Sequence, residues 1–164
     1  MSGKFQSILL GALLTGILAA AYYVVQFGNQ SQILGALSCC VVPTVGALVA
    51  VWHYTTTNAL TLASGQGATI GMSAGALGYV ISWVLALLIS LTGIVPGPFD
   101  MEAIVEVTRD AMVEQGQDPA IIDQSIEMVR QFFWLGPVIG VAAYSAFGAV
   151  VGAIAANVFK KGDE

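Results

Sequence analysis

The feature that most constrains this chain is a long stretch without a single charge. No Lys, Arg, Asp or Glu occurs between Phe5 and Pro98. Over the whole chain 57% of the residues are apolar and 9% are charged, whereas soluble domains carry about 25% charged residues. So few charges cannot cover a globule in water, but such a chain can face lipid. The sequence therefore predicts an integral membrane protein.

Four apolar runs are long enough to cross a hydrocarbon core about 30 Å thick. They cover approximately residues 8–27, 33–52, 68–95 and 132–159. Pro43 and the Gly136-Pro137 pair favour kinks in the second and fourth runs. Residues 55–67 are polar but uncharged, which predicts a loop or a short interfacial segment. We expect an all-α integral membrane four-helix bundle, with residues 1–164 forming a single membrane domain.

The lysines indicate the orientation in the membrane. Four spans place both termini on one side, which would carry Lys4, Lys160 and Lys161. Cytoplasmic segments are enriched in Lys and Arg, so we expect both termini to be cytoplasmic. Arg109 and Arg130 would lie on the opposite side.

Residues 96–131 form the only sizeable polar region. They hold eight of the ten acids and two arginines, a local net charge of −6. Asp100 and Asp118 are good N-caps for two helices, with Pro119 at the first helical position of the second and Gly116 as the break between them. The expectation is an extracytoplasmic amphipathic helical hairpin between spans 3 and 4.

Each helix of this hairpin carries an apolar stripe at helical spacing. The second stripe consists of Ile122, Ile126, Val129 and Phe133, and the first includes Thr108. The stripes can pack on each other, on the ends of the membrane helices or on a partner. For partner docking, the apolar candidates are Met101, Ile104, Val105 and Met112.

Four acids of the first hairpin helix lie four residues apart and so share one edge: Glu102, Glu106, Asp110 and Glu114. One interpretation is an outward cation site or a docking edge for a basic partner. The favoured interpretation is a solvated face that Arg109 partly neutralises, because Ca²⁺ and Mg²⁺ need convergent oxygens rather than a linear row.

In the last two spans, glycines recur mostly four residues apart, with Gly78 three residues after Gly75, which places them on one helix face and allows close backbone approach. These helix-packing candidates are Gly67, Gly71, Gly75 and Gly78, then Gly136, Gly140, Gly148 and Gly152. Packing within one chain is the favoured interpretation. A homo-oligomer interface and a glycine-lined pore are the alternatives.

Signals for chemistry are sparse. No predicted span contains a charged residue, whereas pumps and proton-coupled transporters generally bury one. His53 is the only histidine, and Cys39 and Cys40 are adjacent rather than spaced as metal ligands. The net charge of −5 argues against nucleic acid as a partner. We therefore predict no enzyme, cofactor or metal site, and as partners the lipid bilayer and a protein or a second copy.

The layout resembles the bacterial membrane proteins of domain-of-unknown-function family 4199. The similar segments are Gly67-Ala68-Thr69-Ile70-Gly71, the acidic stretch from Asp118 to Met128, and Phe159-Lys160-Lys161. That family carries a basic residue after the second span, where this chain has His53. The resemblance implies a multi-pass protein of the bacterial cytoplasmic (inner) membrane, and it implies no mechanism.

These observations predict a non-catalytic accessory or scaffold subunit. It would dock a partner through the acidic hairpin and its glycine-rich helix faces. The alternative is a small oligomeric channel or transporter lined by spans 3 and 4. An intramembrane enzyme is a third hypothesis, which a buried histidine–serine or carboxylate pair would favour.

Overall fold

The computed structural model describes residues 2–28 and 32–159, and within these ranges the chain is helical with no β-strand. Lys160 and Lys161 lie outside the described residues, as do the side chains of residues 26–28 and 32–39. The elements are α1 (Ser2–Gly28), α2 (Gln32–Asn58), α3 (Ser64–Ser90), α4 (Met101–Glu114), α5 (Pro119–Phe132), a 3-10 turn (Phe133–Leu135) and α6 (Gly136–Val158).

Three helical stretches are long and apolar enough to cross a membrane. They are Gly3–Val25, Ser64–Ser90 and the apolar part of Pro119–Val158. The chain thus has the helices of a membrane protein, as its charge distribution predicts. The described part of α2 does not qualify as such a stretch. The second span therefore stays a prediction.

Helix α3 is central among the four long helices α1, α2, α3 and α6. It packs against α1, α2 and α6, while α2 also contacts α1 and α6. The buried cluster where these helices meet contains Val51 and Ile70 but is otherwise rich in alanine: Ala50, Ala74, Ala155 and Ala156. Small side chains let helices in lipid approach closely enough for dispersion contacts, which replace the hydrophobic drive available in water.

Helix α2 continues past the end predicted at Trp52, as far as Asn58. The residues beyond Trp52 are polar, but their side chains bond back to their own helix. The hydroxyls of Thr55 and Thr56 donate to the Trp52 carbonyl oxygen at 2.9 and 2.7 Å. Because these bonds satisfy the polar groups locally, hydropathy underestimates the length of the helix.

The other two predicted boundaries also differ. Helix α3 ends at Ser90 rather than near Val95, and Gly93 follows with a φ of +74°, a conformation that glycine adopts without strain. The apolar run predicted from residue 132 is divided between the end of α5, the 3-10 turn and α6. Pro137 lies in the first turn of α6, where its missing N–H has no helical acceptor to lose.

Helices α4 and α5 begin where the sequence predicts. The Asp100 carboxylate accepts from the Ala103 N–H at 3.1 Å, and the Asp118 carboxylate accepts from the Ala120 N–H at 2.8 Å. Gly116, between the helices, has a φ of +67°. The two aspartates thus satisfy amides of the first turn that have no partner inside the helix.

The apolar stripes of these two helices pack on each other. Val105, Ile122 and Ile126 form a buried cluster, with Met112 and Val129 against it. Two exposed ion pairs join the helices. The nitrogen–oxygen distance is 3.6 Å for Arg109 with Asp123 and 3.7 Å for Arg130 with Glu102. We refer to residues 101–132 as the α4–α5 pair.

Candidate functional site

The glycines of α3 and α6 lie against each other's backbone. A Cβ built on Gly67 would overlap the Gly152 carbonyl oxygen, and one on Gly71 would overlap the Gly148 carbonyl oxygen. The reverse overlaps exist as well, since Gly148 and Gly152 face Gly71 and Gly67. Backbone therefore lies directly on backbone, and no side chain fits between them.

The remaining predicted helix-packing glycines lie in different places. Gly75 faces the backbone carbonyl of Tyr144 on α6, and Gly140 lies under the Tyr79 ring. Gly78 instead faces Thr15 on α1. At Gly136, at the start of α6, a built Cβ would meet no atom from other described parts of the chain within 4 Å. The predicted stripe therefore divides between two helix contacts.

The predicted docking residues separate by polarity. Glu102, Glu106, Asp110 and Glu114 are all exposed. Val105 is buried inside the α4–α5 pair, and the partly buried Met112 packs against it. Met101 is exposed on the first turn of α4, and Ile104 lines a cavity described below. The acidic half of the set faces water, while half of its apolar members are covered by α5.

Acidic side chains do not converge on a common point. Within residues 2–28 and 32–159, no three His, Cys, Asp or Glu side chains form a group that could hold a metal ion. The row on α4 is linear, with one of its members, Glu102, paired to Arg130. Arg109 pairs with Asp123 on α5 rather than with the row itself.

An aromatic cavity is lined by residues of α1, α3 and α6, together with Pro98 and with Ile104 of α4. Its volume is about 290 Å³, and five aromatic side chains line it: Tyr22, Tyr23, Tyr79, Trp83 and Tyr144. A neighbouring cavity of about 560 Å³ shares four of its lining residues, Tyr79, Trp83, Pro98 and Ile104, and extends to Phe132 and Pro137. We call the smaller space the aromatic cavity.

Ring contacts and one hydrogen bond hold its walls. The Tyr79 ring centroid lies 5.0 Å from that of Tyr144 and 6.1 Å from that of Trp83, and Trp83 lies 4.9 Å from Phe99, all with tilted planes. The Tyr23 hydroxyl donates to the Pro96 carbonyl oxygen at 2.9 Å. This bond ties α1 to the segment that leads into α4.

One wall residue carries an unsatisfied polar atom. The Tyr22 hydroxyl oxygen is buried, and it has no hydrogen-bond partner in the described part of the chain. A buried hydroxyl without a partner is costly, and such groups commonly mark a place for a bound molecule or water. Sequence reasoning missed this site, and only Tyr22 and Tyr23, near the end of the first apolar run, were a signal for it.

At the opposite end of the helices, Ser7 and His53 form a pair. Ser7 Oγ lies 2.8 Å from His53 Nδ1 and 2.9 Å from the Gly3 carbonyl oxygen. A single hydroxyl proton cannot serve both acceptors, so when Ser7 donates to Gly3, the His53 ring must donate to Ser7. This is the histidine–serine pair that the enzyme hypothesis requires.

The surroundings of this pair do not resemble a nucleophile site. Ser7 is completely buried, so a substrate has no access to its hydroxyl. The acids among the described residues all lie from Asp100 to Glu127, near the other end of the molecule. A catalytic serine needs an accessible hydroxyl and a base that a third group orients. The geometry fits a polar contact that joins α1 to α2.

No protein-family model, curated protein or solved structure matches this chain. The resemblance to domain-of-unknown-function family 4199 therefore stays a prediction.

Proposed function

We propose that the chain is a non-catalytic four-helix protein of the bacterial cytoplasmic membrane. Helices α1, α2, α3 and α6 would form the membrane bundle, and the α4–α5 pair would be its extracytoplasmic hairpin. Two properties support this arrangement. The apolar stretches and the acidic segment are separated along the chain, and lysines at the two termini fit the positive-inside tendency.

Within this arrangement the protein acts as an accessory subunit that docks a basic partner on the acidic face of α4. The proposal rests on which candidate surfaces are already covered by other parts of the chain. The glycine faces of α3 and α6 cover each other, and the apolar stripes of α4 and α5 do the same. The acidic edge at Glu106, Asp110 and Glu114 remains exposed.

The charge distribution favours a basic partner. Both arginines of the segment are engaged in ion pairs between α4 and α5, and the segment keeps a net charge of −6. A one-sign surface on a pair of helices raises the association rate of an oppositely charged partner, and the effect falls with ionic strength. Binding through this face is therefore expected to be sensitive to salt.

Photocrosslinking in native membranes tests the docking proposal. A photoreactive residue replaces Val113, which is exposed on α4 beside the acidic row. We expect a discrete crosslinked product that is lost in the triple variant Glu106→Gln, Asp110→Asn, Glu114→Gln. It should also be lost at 1 M salt, where the screening length is about 3 Å. These replacements keep side-chain size and remove charge.

The matched control is Glu127→Gln, which removes one exposed charge from α5 and should leave the product unchanged. Loss of the product in this control as well would point to a general effect of charge. A product that persists in the triple variant, or no product at all, would contradict docking through the acidic face.

The channel hypothesis has less support from the geometry. Helices α3 and α6 contact each other along their glycine faces, which leaves no path between them within one chain. A pore lined by these helices would need a second copy. Ion or solute flux into liposomes that contain the purified protein would favour the channel over the accessory subunit.

A further inference from the structure

The cavity of about 560 Å³ beside the aromatic cavity lies between the α4–α5 pair and helices α3 and α6. We call this space the groove. Tyr79 and Trp83 line it from α3, and Ile104, Val129 and Phe132 line it from the α4–α5 pair. Across the described residues, neither α4 nor α5 makes an extensive contact with α1, α2, α3 or α6. The chain itself therefore leaves this space unfilled.

Apolar and aromatic side chains make up almost the whole lining of the groove. Besides the residues of the two sides, the lining includes Phe99, Phe133 and Trp134. Among the described residues that line the groove, none is Lys, Arg, Asp or Glu. An ordered water needs roughly two to four polar partners, and this lining offers very few. The groove therefore suits an occupant made of hydrocarbon.

The position of the groove along α3 indicates its depth in the membrane. Trp83 lies seven residues before the end of α3 at Ser90, which is about 10 Å along the helix axis. Val84, Leu87 and Leu88, which follow Trp83 on α3, are exposed. Helix α3 is long and apolar enough to cross a membrane. In the proposed membrane arrangement these exposed side chains face acyl chains, so the groove lies at the depth of lipid tails.

The groove is continuous with the outer surface of the molecule. Phe99, Phe132 and Trp134 line the groove, and all three are also exposed. Side chains that do both show that the groove has an open side. The next residues on α6, Val138 and Ile139, are exposed as well. A lipid tail can therefore enter from the side over an apolar surface.

We propose that the groove binds one acyl chain of a membrane lipid, which fills the space between the α4–α5 pair and α3. Acyl chains are the molecules that make up the membrane at this depth. An empty gap would forfeit the dispersion contacts of its walls, and a flexible hydrocarbon chain restores them without any hydrogen bond. The lipid headgroup stays outside the groove. The proposal rests on the membrane arrangement given above and is independent of partner docking.

Fluorescence quenching by brominated lipid tests this proposal. Trp52→Phe and Trp134→Phe leave Trp83 as the only tryptophan of the full-length protein. This protein is reconstituted in phosphatidylcholine vesicles whose acyl chains carry bromine at mid-chain or no bromine. Because bromine quenches tryptophan on contact, we expect a strong loss of Trp83 emission in the brominated vesicles. Gly136→Phe should restore most of it, because Gly136 lines the groove and has open space at its Cβ position.

Two controls separate filling of the groove from general effects. Gly65→Phe makes the same change at an open glycine of α3 outside the groove lining, and it should leave the quenching unchanged. Phe132→Asn makes the lining polar and should also reduce the quenching of Trp83. Its control is Met128→Asn, at an exposed side chain of α5 outside the lining, which should have no effect.

A reporter of ordinary lipid contact distinguishes failure of the groove from failure of the membrane arrangement. Val150→Trp, with the three native tryptophans replaced by Phe, places this reporter at an exposed position of α6. If the reporter is quenched but Trp83 is not, the groove holds no lipid chain. Quenching of Trp83 that survives both Gly136→Phe and Phe132→Asn would equally overturn the proposal. If neither tryptophan is quenched, the membrane arrangement is wrong and the groove proposal falls with it.

Discussion

Two helix pairs in this molecule achieve close contact with opposite kinds of residue. Between α3 and α6 the contact consists of glycines, with Gly71 against Gly148 and Gly67 against Gly152. Between α4 and α5 it consists of larger apolar side chains, and Val105, Ile122 and Ile126 are buried there. The first pair belongs to apolar, membrane-length stretches, whereas the second carries acids on its outer surface.

The membrane arrangement proposed above would explain the difference by the surroundings of each pair. In water, burying apolar surface stabilises a contact by about 25 cal/mol per Å², so large side chains strengthen α4 against α5. In lipid this gain is absent, and helices associate through the dispersion contacts that close backbone approach allows. Close helix contact is thus favoured by large apolar residues in water and by glycine in lipid. Adding a side chain should accordingly disrupt the first pair, and removing one should weaken the second.

The largest effect should come from adding a side chain between α3 and α6. Gly71→Leu would push a Cβ into the Gly148 backbone, which cannot move aside as a flexible side chain can. We expect a loss of stability above about 3 kcal/mol, the upper range for overpacked sites. The measurement is denaturant unfolding of the detergent-solubilised protein, followed by circular dichroism.

Gly65→Leu is the matched control, because it makes the same change on the same helix at a glycine with nothing within 4 Å. Its stability should stay within about 1 kcal/mol of wild type, since only helix propensity changes. Equal losses in both variants would mean that the α3–α6 contact is not the cause.

A smaller effect should follow from removing bulk between α4 and α5. Ile126→Ala leaves a cavity in the buried cluster, and we expect a cost of about 2–4 kcal/mol to the local stability of the pair. Amide hydrogen exchange should accelerate in α4 and α5 while exchange in α3 is unchanged. Ile121→Ala, at a side chain that is 51% exposed on the same helix, should cost much less. Similar costs for both would contradict the buried cluster.

The smallest effect should come from the ion pairs. Arg109→Gln removes the ion pair with Asp123. The Arg109 side chain is 52% exposed, and the Asp123 side chain is 73% exposed. Exposed pairs contribute about 0–1 kcal/mol and weaken with salt. Hydrogen exchange in α5 should therefore change little at low salt and not at all at high salt. A cost as large as that of Ile126→Ala would show that charges, rather than apolar packing, hold the pair.

Local signals allowed the starts of α4 and α5 to be predicted to the residue. Capping depends on a few neighbouring positions, so Asp100 and Asp118 mark the two helix starts in the sequence alone. Hydrophobic spacing likewise placed Val105, Ile122 and Ile126 on apolar stripes, but it left open whether the stripes face each other, the membrane helices or a partner. The ends of α2 and α3 were harder to predict from the sequence. Hydropathy does not register hydroxyls that bond to their own helix, as in Thr55 and Thr56.

The aromatic cavity could not be predicted because it depends on contacts between distant segments. Tyr22, Trp83 and Tyr144 come from three different helices. Glycine spacing gives one face of a helix but not its neighbour, which is why Gly78 was grouped with the α3–α6 stripe although it faces Thr15 on α1. The contact between Ser7 and His53 likewise depends on how α1 and α2 align.

The junction between α5 and α6 has a mechanical consequence. The two helices are joined by only the three residues Phe133–Leu135, with no intervening loop. A linker this short couples the orientations of the two helices. A change in the tilt of α6 would therefore also move α5 and the Phe132 side chain. In the proposed membrane arrangement, a thinner or thicker bilayer, which changes helix tilt, would therefore alter the shape of the space beside α5. The extracytoplasmic helices would then respond to bilayer thickness.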